Sequence, residues 1–163
     1  GVLRGSEFVT RKITQNIARW YHGKIDSFEI GNIYALRDWG DSKDYVEGAF
    51  LMLQQEEPDD YVLATGSMHS VKDFIEECLN CLNYKYHWEG EGLDEKLYVE
   101  SVSDKKPLVT ISKEFYRPAE VDSLLGDYSK AKEKLGWEPK TTFKELVHSM
   151  LKADIERERN KED

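Results

Sequence analysis

The chain has 163 residues, which is enough for one domain of ordinary size with a buried core. Its 32 acidic residues outnumber 23 basic residues, so its formal net charge is -9, and no block of lysine and arginine stands apart. This charge pattern argues against a duplex-binding surface, so nucleic acid is not an expected partner. Since the sequence contains neither a long apolar run nor a signal-like start, we expect a cytoplasmic protein without a membrane partner.

Apolar periodicity predicts two helices in the first third of the chain. Apolar residues recur every three or four positions from Phe8 and stop at Gly23, as in an amphipathic helix. Residues 44–55 are apolar on most sides, which is typical of a helix packed between the layers of a larger fold. Residues 26–34, which lie between the two helices, are a weaker strand candidate.

The middle of the chain predicts a strand followed by a helix. Residues 61–65, YVLAT, are short, apolar and bounded by Gly66, as in a buried parallel strand. Ser70 and Asp73 have the spacing of a helix cap, and an apolar stripe continues from them to Leu82. Two further strand candidates are residues 84–88 and 109–111.

Two helices are predicted in the last third of the chain. Residues 129–135 form a short helix, and Gly136 follows it at the position where a helix commonly ends with a residue in the left-handed conformation. Thr142 and Glu145 have capping-box spacing before an apolar run, and we expect that helix to end where the charged tail ERERNKED begins.

The cysteines and histidines do not indicate a metal site. Cys78 and Cys81 lie three residues apart on a predicted helix. Two buried thiols in a reducing compartment are favoured over a redox or metal-binding C-x-x-C motif, because no second ligand pair accompanies them. The four histidines are scattered without ligand spacing, so we predict that no metal is bound.

The order of helices and strands predicts an α/β protein. Residues 44–65 resemble half of a wound βαβ unit. The sequence contains no glycine-rich dinucleotide loop, no P-loop, no G-x-S-x-G motif and no paired nucleophile and base. By spacing alone, the chain therefore holds no complete catalytic site.

Four motifs follow one another along the chain: FVTRKIT from Phe8, GNIYALRDWG from Gly31, MLQQEEPDDYVLATG from Met52 and YRPAEVDSLLGDYSKAKEKLGWEPKTTFKELV from Tyr116. Together they resemble the C-terminal part of the GDP-mannose 4,6-dehydratase family, which belongs to the extended short-chain dehydrogenases. The resemblance implies late elements of a Rossmann-type domain in residues 1–66, interleaved with a substrate-binding segment at about 24–43. Residues 67–163 would then form the C-terminal substrate-binding domain.

The resemblance also implies a reaction. The family converts GDP-D-mannose to GDP-4-keto-6-deoxy-D-mannose with NADP, and its glycine-rich loop and catalytic residues, including a Tyr-x-x-x-Lys pair, lie in an N-terminal half that precedes this sequence. We therefore expect the chain to contribute no catalytic residue, to be inactive alone, and to bind the GDP-sugar within a homo-oligomer. Without its upstream sheet, the first helix is expected to expose an apolar face.

Two other functions stay open. The chain could be a non-catalytic module that binds a nucleotide sugar or acts only in assembly. It could also belong to a related GDP-sugar reductase or epimerase, because the half that would decide the chemistry is not in this sequence.

Arg37 is the candidate site residue with the strongest argument of its own. An arginine between a strand and a helix, with Gly40 relaxing the backbone, suits bidentate capture of a phosphate or carboxylate. The alternative is an ion pair with Asp38 or Asp44. Trp39 is expected to pack in the interior rather than stack on a ligand, and His69 to be a local turn residue.

The resemblance supplies the remaining site residues. It implies that substrate is bound by Val9, Lys12, Arg37, Arg117 and Glu120, and that the cofactor is reached by Arg4. Each has a structural alternative: Lys12 on a solvated helix face, Val9 in the core, and Arg117 paired with Glu120 across one turn.

Overall fold

The computed structural model describes residues 1–101, 105–116 and 125–161. In chain order, these residues form α1 (Val9–Tyr21), β1 (Phe28–Ile30), β2 (Leu36–Arg37), α2 (Ser42–Leu53), β3 (His69–Ser70), α3 (Val71–Cys81), β4 (Tyr86–Glu89), β5 (Lys96–Val99), β6 (Val109–Ile111), α4 (Ser129–Leu135) and α5 (Phe143–Arg159). The predicted α/β class is confirmed.

The larger sheet has four strands in the order β1-β6-β5-β4. Strands β1 and β6 are parallel, whereas β5 is antiparallel to both β6 and β4. In β1, Phe28 and Ile30 are buried while Glu29 between them is exposed, because successive side chains in a strand point to opposite faces. A second, two-stranded sheet joins β2 to β3 in antiparallel register.

Helices α1, α3 and α5 enclose the core with the larger sheet. Ile13 and Ile17 of α1 are fully buried, and α1 lies against α5. The expectation that α1 would expose an apolar face is therefore wrong, because the C-terminal helix of the same chain covers that face. Helix α2 exposes apolar side chains to a greater extent, with Val46 68% and Phe50 60% exposed, whereas Val9 at the start of α1 is 36% exposed.

Three predicted helix ends are confirmed, and in each the interacting residues lie close together along the chain. The backbone N–H of Asp73 donates to Ser70 Oγ at 2.9 Å, and the N–H of Ser70 donates to Asp73 Oδ2 at 2.7 Å. The same reciprocal capping box joins Thr142 and Glu145 at the start of α5. Gly136 ends α4 with a φ of 66°, in the left-handed region.

Replacing Ser70 with alanine is expected to lower the free energy of unfolding by about 1 kcal/mol, because α3 loses the acceptor for one of its first N–H groups. Chemical denaturation of the purified protein measures the change. Ser101→Ala, at an exposed turn, is the matched control and is expected to have no effect. Equal unfolding midpoints for the two variants would contradict the prediction.

The expectation that α5 ends at the charged tail is wrong, since the helix continues to Arg159. Asp154 is only 1% exposed and accepts hydrogen bonds from Thr14 Oγ1 at 2.7 Å and from Arg157 at 2.9 Å. The Nε atom of Arg11 also lies 2.9 Å from the Asp154 carboxylate, but its N–H makes no hydrogen bond, so this contact is an ion pair only. Two charged residues of the tail are thus engaged within the helix, since Arg157 pairs with the buried Asp154 and Glu158 is only 3% exposed.

Residues 61–65 are not a strand in this structure. A β-strand needs a neighbouring strand that forms backbone hydrogen bonds with it, and no described segment pairs with residues 61–65 in this way. Val62 is 52% exposed, and Leu53 at the end of α2 is 82% exposed. The second layer that we predicted over α2 is not formed by the described part of the chain.

Candidate functional site

Arg37 lies at the end of β2, opposite His69 of β3. Its side chain is exposed, and its guanidinium donates a hydrogen bond of 2.7 Å to the carbonyl of Leu36, its own neighbour. A backbone carbonyl is a weaker partner for a guanidinium than an anion is. Arg37 therefore has donors that an arriving phosphate can recruit.

The two carboxylates considered as partners of Arg37 are engaged elsewhere. Asp38 accepts hydrogen bonds from the backbone N–H groups of Thr65 at 3.0 Å and Gly66 at 3.1 Å. Asp44 is buried and accepts from the backbone N–H groups of Lys140 and Thr141. The ion-pair interpretation of Arg37 is therefore not what the described residues show.

The turn after Arg37 is packed closely against α2. A side-chain carbon at Gly40 would collide with the hydroxyl of Tyr45, so a larger residue there would require the Tyr45 ring to shift. Burial, followed by the nearby carboxylates of Asp38 and Asp44, raises the pKa of Tyr45 to about 12. Tyr45 thus stays neutral at physiological pH beside this turn.

Trp39 and His69 pack under the same turn. The Trp39 ring lies 5.3 Å from the ring of Phe74 and 6.2 Å from that of Phe143, which confirms that Trp39 packs in the interior. His69 stacks on Phe143 with ring centroids 3.7 Å apart, and a ring nitrogen lies 3.2 Å from Ser67 Oγ. His69 therefore has a packing role, beyond the local turn role that we predicted.

Lys12 and the loop after β1 meet at Phe115. The Lys12 ammonium lies 5.6 Å from the centroid of the Phe115 ring, and a side-chain carbon at Gly31 would lie 2.7 Å from the Phe115 carbonyl. Val9, one turn before Lys12 on α1, is 36% exposed and so is not a core residue. Lys12 and Val9 are thus both accessible to a ligand on this side of α1.

Arg4 lies over the ring of Phe8, with its guanidinium carbon 3.9 Å from the ring centroid. Its backbone carbonyl accepts a hydrogen bond of 2.7 Å from Arg11. The exposed guanidinium is thereby held on an aromatic surface. Arg117 and Glu120 lie outside the described residues, so their predicted roles stay predictions.

A comparison with protein families decides the broader class. Residues 1–150 match the profile of the family described as "GDP-mannose 4,6 dehydratase". The chain belongs to this family.

Curated relatives agree with the family assignment. The chain is 48% identical over 153 residues to "GDP-mannose 4,6 dehydratase" of Drosophila melanogaster, and 46% identical over 153 residues to that of Homo sapiens. A relative in Vibrio cholerae is 46% identical over 160 residues. These matches cover 93–94% of this chain but only 38%, 41% and 43% of the three relatives. The chain thus spans about two fifths of their length.

Solved structures of low sequence identity share the fold. "RMD from Pseudomonas aeruginosa complexed with NADPH" has a TM-score of 0.75 at 19% identity, and the match covers 96% of this chain and 46% of that one. The dTDP-glucose 4,6-dehydratase of Bacillus anthracis, solved with NAD, has a TM-score of 0.69 at 14% identity, with 98% and 43% covered. This family member therefore has an α/β fold that matches part of each of these structures.

One polar network near this site was not predicted from the sequence, because its members lie far apart along the chain. Glu95 is only 4% exposed, and both of its carboxylate oxygens lie 2.8 Å from the Tyr34 hydroxyl, while Lys72 Nζ lies 2.7 Å from Oε1. Burial and the hydrogen bond to Glu95 raise the pKa of Tyr34. Burial lowers the pKa of Lys72, but its hydrogen bonds to Glu95 and Tyr34 outweigh this effect and raise it.

A cavity of about 280 Å³ opens between the turn after Arg37 and the start of α5. Its lining residues include Trp39, Thr65, Ser67, His69, Lys140, Thr141, Thr142 and Phe143.

In residues 1–101, 105–116 and 125–161, no three His, Cys, Asp or Glu side chains are grouped to hold a metal ion. Nor does any helix in these ranges have the length and apolar character to cross a membrane.

Proposed function

We propose that the protein containing this chain is an NADP-dependent GDP-mannose 4,6-dehydratase, and that this chain binds the GDP portion of the substrate. The observation that carries the proposal is the family match over residues 1–150, together with relatives of that name at 46–48% identity. Because the chain spans about two fifths of those relatives, the reaction belongs to the complete gene product.

The proposed domain division rests on the family resemblance. Residues 1–66 would contribute late elements of a Rossmann-type domain around a substrate-binding segment at about 24–43, and residues 67–163 would form the substrate-binding domain. The exposed apolar side of α2 and the unpaired, β-rich residues 61–65 support this division, because both need a covering layer. A homo-oligomer is part of the proposal.

The substrate is an anion, whereas the chain carries a net charge of -9. Binding a diphosphate therefore needs local cations at defined positions. Arg37 would turn from the Leu36 carbonyl to the diphosphate and bind two of its oxygens, since the guanidinium fork matches a phosphate. Lys12 would add a second cation, and Val9 would make an apolar contact with the substrate. Arg117 and Glu120 would bind the diphosphate and the ribose.

Anchoring GDP is remote from the chemistry at the mannose ring, but it matters for the rate. Binding energy from a non-reacting part of the substrate orients the reacting part against the catalytic groups. NADP would be held mainly by residues outside this chain, and when bound it would accept the hydride from C4 of the mannose and, as NADPH, return it to C6. Within the chain, Arg4 is the residue proposed to contact the cofactor.

The test is turnover by the complete gene product. With NADP and GDP-mannose, we expect a product that has lost one water and carries a 4-keto group, detected by mass spectrometry. UDP-glucose is the matched control substrate and is expected to remain unchanged. A gene product that binds GDP-mannose but never dehydrates it would overturn the enzymatic proposal.

The alternative of a non-catalytic module is favoured by one observation, the exposed apolar side of α2 with Phe50 60% and Leu53 82% exposed. Such a surface can support assembly without any substrate. Calorimetric titration of the isolated chain with GDP-mannose separates the two: a folded oligomer that gives no response favours an assembly role. A related GDP-sugar reductase or epimerase would be identified in the turnover assay by its product.

A further inference from the structure

The loop that presents Arg37 is held at several points by α3. It runs from the end of β1 to β2, and its carbonyls at Ile33 and Ala35 accept the N–H groups of Lys72 at 2.8 Å and Val71 at 3.2 Å. These are the first two residues of α3, whose N–H groups have no partner within the helix. The loop backbone and the start of α3 are therefore one connected unit.

A charged network fixes the side chain in the middle of the same loop. Tyr34 donates its hydroxyl hydrogen to the buried carboxylate of Glu95, and Lys72 donates to Glu95 at 2.7 Å and to the Tyr34 oxygen at 3.3 Å. The Lys72 ammonium also lies 4.6 Å from the ring centroid of Trp88. Charge-assisted hydrogen bonds of this kind are short and directional, so they define where the loop lies.

We propose that Tyr34, Lys72 and Glu95 are positioning residues that fix the loop from Gly31 to Leu36, and thereby hold Arg37 ready for the diphosphate of the substrate. This inference rests on the proposed function, in which Arg37 binds the GDP portion. Arg37 follows Tyr34 by only three residues, and the intervening chain is tied to α3 and to β3. Residues 34–37 therefore form one short tethered segment, with the Tyr34 side chain anchored at one end and Arg37 at the other.

The exposure of Tyr34 makes the proposal testable without unfolding the protein. Its side chain is 51% exposed, so replacing it with phenylalanine removes the hydroxyl group and leaves no cavity in the core. The variant loses the hydrogen bond to Glu95, while the ion pair between Lys72 and Glu95 stays available. A looser Arg37 must then pay more ordering entropy when it binds an anion.

The experiment compares Tyr34→Phe with Tyr98→Phe in the complete gene product. Tyr98 of β5 stacks on His87 and serves as the matched control. We expect Tyr34→Phe to raise both the Kd and the KM for GDP-mannose about fivefold, with kcat changed less than about twofold and the melting temperature lowered by no more than about 5 °C. Tyr98→Phe is expected to leave all four quantities unchanged.

A double-mutant cycle with Arg37→Ala ties the effect to Arg37. If Tyr34 acts through Arg37, then Tyr34→Phe has no further effect on Kd once Arg37 is alanine. Glu95→Gln keeps an acceptor for the Tyr34 hydroxyl but removes the charge, so it is expected to raise the Kd in the same direction as Tyr34→Phe but by a smaller factor. Additive effects of Tyr34→Phe and Arg37→Ala, or an unchanged Kd in Tyr34→Phe, would overturn the positioning role.

The failure of this inference can be told from the failure of the proposed function. If Arg37→Ala alone leaves the affinity for GDP-mannose unchanged, the assignment of Arg37 fails and the positioning role falls with it. If Arg37→Ala weakens binding but Tyr34→Phe and Glu95→Gln do not, only the positioning role is overturned.

Discussion

Replacing Arg37 with alanine in the complete gene product is expected to weaken GDP-mannose binding about 50-fold. A guanidinium that makes two hydrogen bonds to a diphosphate contributes a few kcal/mol, because hydrogen bonds between charged groups are roughly twice as strong as neutral ones. Calorimetry gives the Kd directly, and steady-state kinetics give kcat/KM. Among the described residues, the Arg37 side chain bonds only to the carbonyl of its neighbour Leu36 and forms no buried ion pair. Its loss is therefore expected to leave the free energy of unfolding almost unchanged.

Two controls sharpen this test. Arg37→Lys keeps the charge but not the fork, so we expect an intermediate loss of about tenfold. Arg159→Ala removes an arginine of similar exposure on α5, whose partner Glu156 is also on the surface, and is expected to have no effect on binding. If Arg37→Ala leaves both affinity and turnover unchanged, then Arg37 does not bind the substrate.

Replacing Asp154 with alanine is expected to lower the free energy of unfolding by about 3–5 kcal/mol. Asp154 is 1% exposed and compensates the charges of Arg11 and Arg157, and it also accepts the hydroxyl of Thr14. Removing one partner of a buried ion pair leaves the other charge unpaired in a poorly solvated place. A melting temperature about 10 °C lower, measured by calorimetry, is the expected result.

The control for Asp154 lies two residues further along the same helix, on its exposed side. Glu156 pairs with Arg159, and both side chains are about 60% exposed, so Glu156→Ala is expected to change stability by less than about 0.5 kcal/mol. Asp154→Asn keeps an acceptor for Thr14 but loses the charge, so it is expected to fall between the two. Similar melting temperatures for Asp154→Ala and Glu156→Ala would contradict a structural role for the cluster.

Sequence reasoning was accurate where the partners are close along the chain. The capping boxes at Ser70 and Thr142 and the left-handed stop at Gly136 involve residues at most four positions apart, and all three are confirmed. A strand has no such local partner. Residues 61–65 have strand composition but no neighbour to pair with, whereas residues 96–99, KLYV, pair with β4 and β6 although we did not predict them. The available sequence signal was the alternation of Lys96 and Tyr98 with Leu97 and Val99, and the structure buries Leu97 and Val99.

In the candidate site, too, contacts between residues far apart along the chain could not be predicted from the sequence. Tyr34 and Glu95 are 61 residues apart, and Thr14 and Asp154 are 140 apart, so only the folded chain brings these buried carboxylates to their partners. Pattern reasoning did single out Arg37, because an arginine between a strand and a helix, followed by a glycine, has a physical rationale of its own. Lys12 came from the family resemblance, since an isolated lysine near a helix start does not distinguish a ligand from a solvated surface.

Helix α5 sets a distance. Its 17 residues span about 25 Å at 1.5 Å per residue. At one end, Phe143 lies against His69, the residue paired with Arg37; at the other, Arg157 donates to the carbonyl of Val2, close to Arg4. Because a helix resists compression, α5 holds the segment that pairs with β2 at a fixed distance from the segment just before Arg4. One helix therefore braces the backbones that carry the two arginines proposed to bind substrate and cofactor, whereas the exposed side chain of Arg37 can still turn toward a ligand.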